Sequence, residues 1–333
     1  MARVVVAPKL VLRAYRGEPD HPAMAEIAAA VRADNGDRDL GTVEGLANHY
    51  RHMDQEALPL DCALVEIDGR PVAYGRASWR PLVNGSAKVE GVLNIHPEAR
   101  GIGVEERMVE HAVKRAHDLV AQHASGEATD LIVYAEGRDH RQREVLAARG
   151  FRLQRRHAGL IRPNFDDIPD VPLPSPFEVR PIDPDDHAMH RRLWDAAYRA
   201  FADTHGEEAP TEAMYDEWVA GEEFQPELWR VAFDGDRVAG QILNYLGPVE
   251  SDGSIIGWTE SISTQPEYRR RGLARALLAL SLRTVRDAGA TCAGLGVDTQ
   301  NPRQAQTLYE SMGFRITSES FEYALTIEPA VSR

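Results

Sequence analysis

One order of signals occurs twice in this chain, on either side of a proline-dense stretch, and this duplication limits the possible folds more than any single motif. From Pro163 to Pro176 the chain reads PNFDDIPDVPLPSP. Proline locks φ and lacks an amide donor, so such a stretch continues neither a helix nor a central strand. It reads as an extended interdomain linker over 164–176, between a first domain over 1–163 and a second over 177–333. Each side shows an apolar start, a long amphipathic stretch, two strands, a Gly/Arg turn opening a helix, a further strand, and a short helix ending in Gly-Phe. Gly103 and Gly272 open the corresponding long helices, and Gly150 and Gly313 close the corresponding short ones.

In the second half, Phe177 to Ile182 reads as a strand. Pro184 to Ala202 reads as a helix with Asp183 as cap, and Thr211 to Ala220 as a shorter helix. Asp234-Gly235-Asp236 sits between Trp229–Phe233 and Arg237–Leu246, and its Asp and Gly suit the positive φ of a tight hairpin. There follow a strand ending near Thr264, a helix from Gly272 to Asp287, a strand from Cys292 to Asp298, a helix from Pro302 to Ser311, and closing strands through Ile327. The first half repeats this with a hairpin at Asp68-Gly69-Arg70, a strand over Lys88–Ile95, a helix over Val104–Gln122, a strand over Leu131–Ala135 and a helix over Arg138–Arg149. The fold class expected is α/β, as two similar tandem domains, each a mixed, mostly antiparallel sheet flanked by helices.

With 333 residues, 43% hydrophobic and 27% charged, both halves can bury a core. The net charge of −14 repels phosphate backbones, which argues against nucleic acid as a partner. No apolar run approaches the length of about 18 residues that a membrane helix needs, and the start lacks a long apolar segment, so no membrane partner and a cytoplasmic location are expected. Cys62 and Cys292 lie in apolar runs and read as small buried hydrophobes. No metal is expected. A small molecule is the expected ligand, and monomer and homodimer both remain open.

The sharpest local feature is Gln265-Pro266-Glu267-Tyr268-Arg269-Arg270-Arg271-Gly272-Leu273-Ala274, directly after a strand and directly before an amphipathic helix. Amides at a helix amino terminus are unsatisfied donors at the positive end of the helix dipole, and small residues let a ligand approach the main chain. Arginines add cationic contacts to phosphate. A charged turn capping an ordinary helix is the other reading of the same residues. Downstream runs Asn301-Pro302-Arg303-Gln304-Ala305-Gln306-Thr307-Leu308-Tyr309-Glu310-Ser311-Met312-Gly313-Phe314.

Taken together, these two segments resemble the GNAT superfamily of acetyl-CoA-dependent N-acetyltransferases. Its two signatures are an R/Q-x-x-G-x-G/A loop, matched by Arg269, Gly272 and Ala274, and an N-x-x-A-x-x-L-Y-x-x-x-G-F helix, matched by Asn301, Ala305, Leu308, Tyr309, Gly313 and Phe314. The chain's tandem layout and length are also similar to those of the mycothiol synthase family, a likeness of architecture that identifies no substrate. The resemblance implies acetyl-CoA as co-substrate and a small-molecule primary amine as acceptor. It further implies that the amides of Arg270, Arg271, Gly272, Leu273 and Ala274 hold a pyrophosphate, that Ile262, Ser263 and Thr264 pair with the pantetheine arm, that Asn301 touches the cofactor, and that Tyr309 is the general acid. Glu260 is the candidate base on the strand leading to the loop. Alternation along Trp258–Thr264 leaves open which face it occupies. His205 is a second choice, and the acidic run Asp203–Glu208 with Asp216, Glu217, Glu222 and Glu223 suits either a cationic acceptor or a solvated face. No cysteine sits at a catalytic position, so direct attack in a ternary complex is expected. A noncatalytic acyl-CoA-binding or sensing module is the competing class.

The first half departs from both signatures. Glu105 stands where Gly or Ala is expected, Leu146 where Tyr309 stands, and Arg138 in place of Asn301. A carboxylate beside a pyrophosphate is repulsive, so this half reads as a degenerate, structural lobe.

Overall fold

The computed structural model describes residues 9–38, 41–123, 127–201, 209–250, 252–300 and 305–329. The chain divides into two units, one made of Met1–Arg156 with Glu319–Arg333 and the other of His157–Ser318. The first unit contains β1 (Leu10–Ala14), α1 (His21–Asn35), α2 (Val43–Arg51), α3 (Leu58–Asp61), β2 (Cys62–Ile67), β3 (Arg70–Pro81), β4 (Ala87–Ile95), α4 (Val104–His123), β5 (Thr129–Glu136) and α5 (His140–Ala148). β6 (Arg152–Arg162) leads into the second unit, which contains β7 (Glu178–Arg180), α6 (His187–Phe201), α7 (Glu212–Val219), β8 (Arg230–Asp234), β9 (Arg237–Val249), β10 (Ile255–Thr264), α8 (Leu273–Asp287), β11 (Cys292–Asp298) and α9 (Ala305–Ser311). β12 (Arg315–Ile327) follows.

Strand order is β1-β2-β3-β4-β5-β12 in the first unit and β7-β8-β9-β10-β11-β6 in the second. The β4–β5 and β10–β11 pairs are parallel and the rest antiparallel. Parallel neighbours need a long crossover, which α4 and α8 supply. In the first hairpin Asp68 and Gly69 both take positive φ (51° and 81°), the geometry that a two-residue turn between right-twisted strands requires. The mixed sheet flanked by helices agrees with the fold class expected.

The last strand of each unit is one the sequence halves do not suggest. The closing segment is a single strand, and its Ser320–Ile327 stretch pairs with Glu136–Thr129 of β5. β6, before the prolines, instead lies against β11, from Ala293↔Arg162 to Asp298↔His157. In chain order the second unit therefore lies inside the first. The proline stretch is fastened to the second unit: Phe165, Ile168, Val171 and Leu173 pack on its core, and Arg283 of α8 donates to the Pro169 carbonyl at 3.0 Å.

Each crossover helix buries one stripe. Val104, Met108, Ala112 and Leu119 of α4 pack on Val89, Leu131 and Val133. Leu273, Leu277 and Leu282 of α8 pack on Ala239, Ile242 and Leu295. Full burial of such a side chain contributes about 1.5–3 kcal/mol. α8 comes so close to β10 that a Cβ at Gly257 would stand 2.4 Å from the Val285 Cβ. Gly257→Ala is therefore expected to overpack this seam at a cost of about 1–3 kcal/mol, read as a lowered Tm. An unchanged Tm would show that the helix can move away freely.

Candidate active site

The site forms where β10 breaks its register. Glu260 pairs with Leu243 and Ser263 with Gln241, so Ser261 and Ile262 together face Ile242 alone. This is a β-bulge, with Ser261 at φ 48°. Residues directly opposite in an antiparallel pair point to the same face. Glu260 therefore shares the face of Leu243, which packs with Leu193 of α6 and with Trp229. That resolves the alternation the sequence left open: Glu260 lies on the α6/α7 side. Past the bulge the side chains change sides. Ile262 packs into the α8 core, while Ser263 stands beside Gln241, whose amide donates to the Leu193 carbonyl at 3.0 Å. The parallel ladder to β11 ends at Trp258↔Gly294. From Thr259 to Thr264, β10 keeps β9 as its ladder partner and its other edge opens away from β11.

Tyr309 is carried by α9. It is 6% exposed, within the α8 core, with its ring edge-to-face against Phe314 at 6.3 Å. Burial first, and then the charge of Glu260, push its phenol up to about 12. The hydroxyl thus keeps its proton at any ordinary pH, and Glu260 is close enough for its field to be felt there.

The loop that follows has an unusual backbone. Arg270 and Gly272 take left-handed φ (62° and 82°), and Gly272 caps α8 without any side-chain hydrogen bond to the first-turn amides. Arg270, Arg271 and Gly272 are exposed. Successive amides turned to one side by such a backbone form a concavity for phosphate oxygens. The three arginines divide their work. Arg269 is turned inward, Nε donating to the Thr264 carbonyl at 3.1 Å and Nη2 to the Ala200 carbonyl at 2.7 Å. Arg271 donates to the Glu267 carbonyl at 3.0 Å over the Tyr268 ring, and Gln265 anchors the strand end to the Ala196 carbonyl at 2.7 Å. Leu273 is buried in the α8 core and Ala274 half-buried. Asn301, His205 and the run 203–208 lie outside the described residues.

The α6/α7 side is walled with aromatic rings. Trp218 stacks on Trp229 at 5.3 Å, Trp194 lies 5.2 Å from Trp218, and Arg191 sits over Tyr215 at 4.6 Å. Gln225 ties the wall to β9 through two hydrogen bonds with the Leu246 backbone, at 3.1 and 2.9 Å. Asp216, Glu222 and Glu223 are exposed and Glu217 half-buried.

The first unit has the same loop backbone with different contents. Gly101 and Gly103 take φ 78° and 95° where Arg270 and Gly272 stand in the second. Here the concavity is already filled. Glu105 is fully buried and accepts from the Gly101 amide at 2.7 Å, and burial raises its carboxyl above the usual range. Arg100 is held by Asp139 at 2.9 Å and by Asp34. β4 runs along β3 from Ala73↔Ile95 to Pro81↔Ala87 without a bulge. Counting back from Pro97 and Pro266, and allowing for the residue that the bulge inserts, Val92 takes the place of Glu260. Leu146, fully buried, takes that of Tyr309. Neither a carboxylate nor a phenol stands at these two places.

A half-buried acid of the first unit, Glu136, gives a test of pH dependence. Burial, followed by the neighbouring Asp37 carboxylate, raises Glu136 to about 7, although the Asn35 amide donates to it at 2.7 Å. A folded value above the unfolded one means that the stability held below about pH 4.5 is lost as pH rises through 7. Glu136→Gln stays neutral and still accepts from Asn35. It is expected to raise stability at pH 8 by on the order of 1–3 kcal/mol and to flatten the pH dependence between 4.5 and 7 in denaturant titrations. Equal stabilities at pH 8 would contradict this.

Sequence reasoning passed over Trp258, Tyr245 and the glycines of β11. Glycines at alternate positions of a strand, Gly294 and Gly296, are a signal that something approaches the backbone closely.

Comparison with known proteins agrees with this geometry. Residues 191–314 match the family model described as "Acetyltransferase (GNAT) family". A mycothiol acetyltransferase of Rhodococcus jostii is 25% identical over 268 residues, covering 78% of this chain and 82% of that protein. Another, of Nocardiopsis dassonvillei, is 39% identical over 74 residues, which span only 22% of this chain and 22% of that protein. Among solved structures, a GCN5-related N-acetyltransferase from Sphaerobacter thermophilus superimposes with TM-score 0.72 at 23% identity, covering 97% of this chain and 98% of its own. A tandem GNAT protein from the clavulanic acid biosynthesis pathway gives 0.65 at 15% identity, covering 97% and 100%. At such identities these two likenesses establish the fold.

Proposed function

Because the chain is a tandem-domain member of the acetyltransferase (GNAT) family, we propose that its second unit transfers an acetyl group from acetyl-CoA to a primary amine of a small molecule, by direct attack in a ternary complex. The observation that carries this reading is that the charge of Glu260 is felt at the buried Tyr309 phenol, in a unit where the β10–β11 ladder stops at Trp258↔Gly294 and α8 starts at Gly272 without a side-chain cap.

The residues divide the work as follows. An alkylammonium with a pKa of roughly 10 has no lone pair at neutral pH, so Glu260 takes its proton, directly or through a water. The amine then attacks the thioester carbonyl. The sulfur leaves as a thiolate, and Tyr309, whose proton is held up to about 12, supplies that proton. Amides of Arg270 to Ala274 hold the pyrophosphate, with Arg270 and Arg271 as exposed cations at its edge. The free edge of β10 at Ile262, Ser263 and Thr264 takes the pantetheine amides as a strand would, and Asn301 contacts the co-substrate. In the first unit Glu105 occupies the place of the phosphate, so that unit serves as a structural lobe.

A mycothiol-acetyltransferase-like activity is the second reading, favoured by the relative matched over 78% of the chain. Thiol release from acetyl-CoA across a panel of primary amines tests both. Release with at least one amine, strongly reduced by Tyr309→Phe, is expected. Acetyl-CoA binding without release for any amine, unchanged by that substitution, would instead mark a binding or sensing module.

A further inference from the structure

We infer that Trp258 is the seat of the acceptor, and that the acceptor is a primary amine carried on or next to a ring that lies flat, not a linear alkylamine. This inference rests on the acetyl-transfer reading above and deepens it by naming a substrate class.

Three observations converge on the indole. Trp258 pairs with Tyr245 across the strands and lies two residues before Glu260, so all three side chains share the α6/α7 face. At about 3.3 Å per strand residue, the backbone positions of Trp258 and Glu260 are one pleat apart, roughly 7 Å. That span is the width of a six-membered ring plus one substituent. Next, the indole lies flat across the sheet because its neighbours lack side chains. A Cβ at Gly294 of β11 would stand 2.6, 2.7 and 3.0 Å from three ring atoms, and one at Gly247 of β9 would stand 3.2 Å from Nε1. The buried Tyr245 ring is nearly parallel at 22° and 6.3 Å and backs the indole. Finally, Gly296 is exposed, with open space where its Cβ would be, so bare backbone continues the floor on the same side of β11.

An aromatic face of this kind attracts the C–H or π face of a ring and the positive edge of an ammonium group. A ring seated on Trp258 brings an amine on its rim to Glu260, with little internal rotation to lose. A linear amine gains less contact and loses more rotamer freedom.

The test uses the full-length protein with acetyl-CoA and two sets of primary amines matched in pKa. One set carries the amine on or beside a ring, with amino sugars and aralkylamines as separate arms, and the other is linear. Wild type is expected to favour one ring arm by roughly tenfold or more in kcat/KM, as expected for ring stacking. Trp258→Ala should remove that preference through a tenfold or greater rise in KM for the ring amine. The KM for acetyl-CoA should stay within about twofold, and linear amines should lose less kcat/KM than the ring amine does. Trp258→Phe should keep most of the preference, and Gly294→Ala, which forces the indole off the sheet, should lose it; these two also guard against a misfolded alanine variant. Equal use of linear and ring amines by wild type, or a preference that survives both Trp258→Ala and Gly294→Ala, overturns the inference while leaving acetyl transfer intact. Acetyl-CoA binding without thiol release for any amine overturns the acetyl-transfer reading and this inference with it.

Discussion

Replacement of Tyr309 by phenylalanine is expected to lower kcat/KM for acetyl transfer by ~10² to 10⁴ while the fold and the binding of acetyl-CoA are retained. The ring is buried against Phe314 and the α8 core, and phenylalanine keeps that packing, so the loss isolates the hydroxyl. What is lost is the proton for the departing thiolate. The defect should therefore shrink with an aryl thioester donor, whose thiolate is a stable leaving group and needs no proton. The pH profile gives an independent check. With the phenol raised to about 12, wild type should show no alkaline decline from its ionisation below about pH 11. A decline near pH 8 that vanishes in Tyr309→Phe, or a variant with near-normal kcat/KM, would remove Tyr309 from the proton path.

Glu260→Gln is expected to cost a similar factor, ~10² to 10⁴, at neutral pH, and the cost should depend on pH in a characteristic way. The base matters only while the acceptor is protonated. As pH approaches the amine's own pKa near 10, free amine becomes abundant and the deficit should shrink. Acceptors of lower pKa should lose their dependence on Glu260 at correspondingly lower pH. The substitution also removes a charge that raises the Tyr309 phenol, so that phenol should titrate at lower pH, visible as the tyrosinate difference spectrum between the Glu260→Gln protein and the same protein lacking the Tyr309 hydroxyl. A deficit that stays constant with pH would give Glu260 a role in positioning the acceptor instead.

Much of this arrangement is legible in the residues. The hairpin at Asp68-Gly69, the anion-facing loop before α8, the short helix bearing Tyr309 and the loss of that tyrosine from the first half all follow from local chemistry, because each depends on neighbours in sequence. The bulge at Ser261 does not. Serine carries no preference for positive φ, and only the pairing of Glu260 with Leu243 and of Ser263 with Gln241 reveals that side chains change faces between them. The side occupied by Glu260 is thus a property of two strands. The exchanged strands are hidden for a related reason: nothing local in β6 or β12 says that the one joins β11 and the other β5. Glu105 lies between these cases. Its charge already speaks against a phosphate at that loop, yet only the folded chain reveals that its carboxylate accepts from the Gly101 amide and fills the concavity itself. The prolines show that no helix or central strand runs there, whereas the packing of the stretch on the second unit depends on apolar residues between the prolines finding a core.

The most direct test is a crystal structure of the full-length protein with CoA bound. The pyrophosphate is expected on the amides of Arg270 to Ala274, with the sulfur about 3–3.5 Å from the Tyr309 hydroxyl and the pantetheine along the free edge of β10. CoA held at the Gly101–Glu105 loop of the first unit, or a sulfur remote from Tyr309, would contradict the assignment of catalysis to the second unit.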